Sequence, residues 1–145
     1  VILLSAIHWT SEEMIAIRKA QYAYEKSIKM CVKTGTSQAM IEKNYEYHMT
    51  IAAAAHNTYF ADLYRRLLEE WRRVLHLHVK FQNLQEHLTA AEINDDHTLI
   101  SNAIEAKDGE LAEKYAHMHA AQFRGKFMQY LNRNLTSDVQ LNYVS

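Results

Sequence analysis

Residues 10–35 read TSEEMIAIRKAQYAYEKSIKMCVKTG, and this stretch decides the fold class. The Thr10 hydroxyl can accept from the amide three residues on, where Glu13 can reach back to the Thr10 amide; this reciprocal pattern opens a helix. Met14, Ile17, Tyr24, Ile28 and Cys31 or Val32 then recur at helical spacing. Gly35 follows the last periodic residue, where a left-handed backbone ends a helix at little steric cost.

The same signals recur on both sides. Val1 to His8 reads as the end of a helix whose start is missing. Thr36 or Ser37 caps the next helix, which is expected to run to about Ala55 with Met40, Ile41, Tyr47, Ile51 and Ala55 along one side. His56-Asn57-Thr58 interrupts it, Asn57 tolerating a left-handed turn and Thr58 restarting the chain. A third long helix is expected from near Tyr59 to at least Phe81. Its apolar stripe is Phe60, Leu63, Leu67, Trp71, Val74, His78 and Phe81. Arg65, Arg66, Glu69, Glu70, Arg72 and Arg73 mostly fall off that stripe and read as a solvated face. Residues 82–91 read as helix or loop. Asn94 or Asp95 is expected to cap a short helix over about 96–106, and Asp108 a long one from about Gly109 to Asn134. Residues 136–145 have weak periodicity.

Composition agrees. Proline is absent and glycine occurs three times, whereas sheet proteins draw heavily on both for tight turns. A 145-residue chain that is 48% hydrophobic is expected to be one domain spanning 1–145. The fold expected is an all-α antiparallel bundle of five to seven helices. Sixteen basic against seventeen acidic residues argue against a free-standing nucleic-acid binder. The single cysteine, Cys31, gives no disulfide framework and points to a reducing, cytoplasmic setting. The apolar start, Val1 to Ile7, is too short for a membrane span and lacks the charged opening of a signal peptide. There is no initiator Met, so the chain is expected to be a piece of a longer protein.

Nine histidines in such a chain are the informative residues. His8, His56 and His87 lie near expected helix ends, where capping is the plain role. His76 and His78 diverge on their helix, as do His117 and His119. Neither a repeated Glu-x-x-His di-iron pattern nor His-Glu-x-x-His occurs. Asn44 and His48, four apart, share a face. With His97 and His119 they offer three imidazoles from three helices, a donor set that suits zinc, nickel and similar ions.

These residues also carry a resemblance. Asn44-Tyr45-Glu46-Tyr47-His48 followed by Ile51, Ala55 and Asn57 resembles the Asp-x-x-Phe-His segment of the FCD domain, the ligand-sensing half of FadR-subfamily regulators in the GntR family. Asp96-His97-Thr98-Leu99-Ile100 with Ala103-Ile104 and Lys107-Asp108 is similar to that family's Glu-His-x-x-Ile run. Leu111-Ala112 with His117-Met118-His119 is similar to its Met…His ending. The likeness runs from about His8 to about Leu131. It implies a helical bundle holding a divalent metal, zinc first and nickel second, through Asn44, His48, His97 and His119. It implies a small carboxylate metabolite as effector, a homodimer, no enzymatic activity, and DNA binding only through a separate N-terminal winged helix-turn-helix domain missing from this chain. Arg72, Arg73, His78 and Arg124 are the candidate effector contacts.

The chain departs from the pattern at two places. Asn44 stands where the family has an acidic ligand, so the site would carry about +2 rather than +1, weakening the metal but favouring an anionic effector. The family's opening helix commonly carries an effector-binding Arg, and no Arg precedes Arg18 here. Two other readings use the same residues: a metal-free structural and dimerising bundle, and a three-histidine metal-dependent hydrolase with Glu46 or Asp96 as base.

Overall fold

The computed structural model describes residues 1–81 and 90–137, which form six helices. They are α1 (Ile2–His8), α2 (Ser11–Thr34), α3 (Gln38–Ala53), α4 (Thr58–Phe81), α5 (Ala90–Glu105) and α6 (Gly109–Ser137), with no strand among the described residues. Thr10 and Glu13 form the reciprocal cap of α2, and Gly35 closes it at φ 70° with its amide on the Cys31 carbonyl. Asp108 caps α6 by accepting from the Leu111 amide at 2.9 Å.

Short connections make successive helices pack as antiparallel neighbours. α4 lies on α3, α3 on α2, α2 on α5 and α5 on α6; α1 closes the bundle across α3, α5 and α6. Ile17, Tyr47, Ile51, Ile100 and Ile104 form the middle of the main core, all fully buried. Each such aliphatic side chain contributes roughly 1.5–3 kcal/mol of burial. A second cluster of Tyr24, Ile28, Cys31, Met40 and Ile41 takes Leu75 of α4 against it. Polar ties lock α1 in place. Ser5 Oγ donates to the Ile51 carbonyl at 2.7 Å, and Trp9 Nε1 donates to the Ile104 carbonyl at 2.8 Å. Among the described residues no helix is long and apolar enough to cross a membrane.

Four expectations need correction. α5 starts at Ala90, not near Asp96, because Ala90-Ala91-Glu92 are strong helix formers and Asn94-Asp95 cost only a few tenths of a kcal/mol each inside a helix. His97 is therefore in the third turn. The left-handed residue between α3 and α4 is His56 (φ 50°), not Asn57. Asn57 is the cap of α4, its Oδ1 accepting from the Phe60 amide at 3.1 Å. Finally, the stripe of Phe60, Leu63 and Leu67 does not enter the core: these side chains are 41%, 58% and 64% exposed. α4 meets α3 through the neighbouring face, where Leu68 is buried and Leu75 joins the second cluster. The ambiguous segment 82–89 and the tail 138–145 lie outside the described residues.

Candidate metal centre

The centre is built around Tyr47 and His97. Tyr47, fully buried on α3, donates its hydroxyl to the His97 carbonyl at 3.0 Å and accepts from Ser101 at 2.9 Å. Those two bonds fasten α3 to the middle of α5. α2 is fastened to the same helix by Gln21, whose amide reaches Thr98 at 3.1 Å, and by Arg18, which bonds Asn102 at 2.8 Å and pairs with Glu105. The His97 ring is enclosed by aromatic neighbours, Tyr24 at 4.4 Å and Tyr47 at 4.9 Å between centroids.

Into this frame His48 comes from α3 and His119 from α6. One ring nitrogen from each of His48, His97 and His119 lies within 4.8 Å of the others. Ring centroids stand 5.3 Å apart for His48–His97, 4.5 Å for His97–His119 and 5.7 Å for His48–His119. A zinc ion bonds imidazole nitrogen at about 2.0–2.1 Å, so tetrahedral ligands sit about 3.4 Å apart, within small rotamer adjustments of this triangle. His117, two residues from His119, is exposed and faces elsewhere.

Each imidazole has a distinct partner. His119 Nδ1 lies 3.2 Å from Asp96 Oδ2, and His48 Nδ1 lies 3.4 Å from the Tyr64 hydroxyl. When Nδ1–H donates to these oxygens, Nε2 is left as a lone pair, the arrangement that orients metal-binding histidines. His97 Nε2 bonds Asn44 Oδ1 at 3.0 Å, and its Nδ1 is buried with no hydrogen-bond partner. A cation taken up by Nε2 would have the Asn44 amide oxygen beside it. Burial, then the neighbouring His119, pushes His48 down to about 3. Burial pushes His97 in the same direction, with His119 and His48 adding to it. Both rings are therefore neutral at ordinary pH, the form that binds metals. Tyr64 is pushed up to about 12 by burial and stays a neutral hydroxyl. His119 and Asp96, about a quarter exposed, form the solvent side of the cluster.

The other candidates lie elsewhere. Arg72 bonds Glu42 at 3.1 Å and sits 5.1 Å from the Tyr45 ring, at the α3–α4 seam. Arg73 is paired with Glu70 and is three-quarters exposed, and Arg124 is exposed. The His78 side chain lies outside the described residues. Glu46 is exposed and paired with Lys43, and Asp96 is engaged with His119, so neither is placed as a free base. Cys31 is buried, and burial pushes its thiol up, away from nucleophilic character. Sequence reasoning missed Asp96 as the partner of His119, and missed the Arg18–Gln21 ties that hold α5. The spacing of 23 residues between Asp96 and His119 gives no local signal.

Two comparisons bear on this arrangement. A family model described as FCD domain matches residues 1–122. A comparison with curated proteins gives no match.

Proposed function

From the premise that this chain belongs to the FCD domain family, we propose that it senses a small carboxylate through a divalent metal held by His48, His97 and His119. FCD domains are the effector-sensing domains of GntR-type transcription regulators, which bind small metabolites, are typically dimeric and are not enzymes. The single observation that carries the metal reading is the triangle of imidazole nitrogens within 4.8 Å of one another, two of them on buried, neutral rings and the third, on His119, at the solvent side.

Zinc suits three neutral imidazoles, with nickel second. When bound, the ion supplies a Lewis-acidic anchor for an anionic oxygen. The rest is the work of this chain's own residues. Asp96 and Tyr64 fix the orientation of His119 and His48. Tyr47 holds the backbone of His97, and Asn44 holds its ring. Asn44 is a neutral fourth group, so the site keeps the full charge of its ion and favours an acidic effector. Arg72, half-buried at the α3–α4 seam, is the foremost of the four proposed effector contacts; Arg73, His78 and Arg124 are the others. DNA reading belongs to a separate winged-helix domain, and the effector acts by favouring one arrangement of the paired sensors over another.

The test is metal content of the purified protein by mass spectrometry, before and after chelation. About one ion per chain is expected, and it is expected to be lost in His48→Ala, His97→Ala and His119→Ala. Bound metal that is unchanged in all three variants refutes the site; a chain that takes up no metal supports the metal-free bundle instead. With the site loaded, a carboxylate effector is expected to raise the melting temperature saturably, by mass action on the folded state.

A further inference from the structure

We propose that His8, Glu13 and His56 form a second, solvent-facing site for a divalent transition metal, at the corner where α1, α2 and the α3–α4 connection meet. His8 ends α1, Glu13 lies in the first turn of α2, and His56 stands between α3 and α4. Two imidazoles and a carboxylate, with further positions open to water, make a donor set that suits zinc, nickel and copper.

Two of the three donors already stand as ligands of one ion do. His56 Nε2 lies 2.8 Å from Glu13 Oε1 and 3.0 Å from Oε2. Neighbouring ligands bound at about 2.0–2.2 Å lie roughly 3.0–3.4 Å apart. Glu13 Oε2 also accepts from the Thr10 amide at 2.8 Å, so the helix cap holds the carboxylate in position and leaves Oε1 for the imidazole. The His8 ring lies nearly parallel to that of His56, at 22°, with centroids 6.4 Å apart, against 5.7 Å for the widest pair of the central triangle. His8 therefore has to close in, and as an exposed side chain it changes rotamer readily. An ion at this corner takes the lone pair of His56 Nε2, the ring proton resting on Nδ1. As a plain ion pair, His56 and Glu13 are 45% and 30% exposed and contribute at most about 1 kcal/mol. With a metal bound, the same groups join three separate segments of chain. The site shares no residue with the central histidines, so it stands or falls apart from the sensing reading.

Zinc binding to the chelator-stripped whole chain, followed by titration calorimetry, tests it. Two classes of site are expected, the exposed one being the weaker. His8→Ala and His56→Asn are expected to remove the weaker class and keep the other; asparagine is chosen because it tolerates the left-handed backbone of residue 56 (φ 50°). Glu13→Gln is expected to remove it too with helical circular dichroism unchanged, since glutamine also serves the reciprocal cap. In His48→Ala the weaker class is expected to persist, with the NMR ring signals of His8 and His56 shifting together as zinc is added. A chain whose central histidines take up no zinc is expected to show the weaker class alone. Zinc uptake that is the same in His8→Ala, His56→Asn and Glu13→Gln as in the wild type, or that depends on His56 but not on His8, overturns the proposal.

Discussion

Two regions of this bundle invert the usual arrangement of apolar inside and polar outside. At the junction of α2, α3 and α5, His48, His97, Ser101 and the Tyr47 hydroxyl are buried, with a hydrogen bond for nearly every polar atom. On α4, leucines and aromatics face water. The difference is that the buried region has its partners within the chain, while the exposed one is left with apolar surface unmatched. A polar group leaves water at small net cost only when it is paired, so the interior polar cluster is specific and stiff. Exposed leucines are tolerated in a monomer but gain stability only from something outside it.

That contrast can be broken most severely at its centre. Tyr47→Ala removes a fully buried ring and both of its hydrogen bonds, and is expected to cost about 3–5 kcal/mol in urea unfolding. Acid attacks the same region. Below pH 6.5 an unfolded histidine takes up a proton that folded His48 and His97 refuse, so stability falls as pH falls, and for His48 continues to fall toward about pH 3. At pH 5 this amounts to roughly 2 kcal/mol for His48 in metal-free protein, and His97 acts in the same direction. The pH dependence of unfolding in His48→Leu is expected to be correspondingly flatter. Bound metal is expected to leave in mild acid as well, because protons and the ion compete for the same nitrogens.

Asn44→Asp sharpens the picture in the other direction. A carboxylate beside the ion is expected to tighten metal binding by about tenfold, read by competition with a chromophoric chelator; weaker binding would contradict the charge argument. The smallest effect is expected on α4. Leu67→Ala, studied at concentrations too low for association, is expected to change unfolding free energy by less than about 0.5 kcal/mol. A loss comparable to that of Tyr47→Ala would mean that the strip packs within the chain.

The helices were legible where local chemistry writes their ends. The Thr10–Glu13 cap, Gly35 and Asp108 act within a few residues, so the sequence alone locates them. Helix faces allow the three histidines to converge, but it is the resemblance to the FCD pattern that picks them out as a set. What escaped was non-local. The stripe on α4 was visible as a stripe, but periodicity says only that apolar residues share a side, and the side that meets α3 is chosen by Leu68, Leu75 and the Arg72–Glu42 pair. The early start of α5 escaped because Asn94-Asp95 resembles a cap, and a cap-like pair inside a run of helix formers is overridden by its neighbours. The hold of Asp96 on His119 and of Arg18 on Glu105 spans helices, and no spacing rule anticipates it.

Trp9 donating to the Ile104 carbonyl has a consequence beyond fastening α1. Ile104 lies two turns beyond His97 on a single uninterrupted helix, roughly 10 Å along its axis. A helix is stiff lengthwise, so an axial displacement of the α5 backbone at His97 would be passed along it to the carbonyl that holds the indole. In a Trp71→Phe background, the emission of Trp9 becomes a built-in gauge of what happens among the histidines, read at the corner where the first two helices meet.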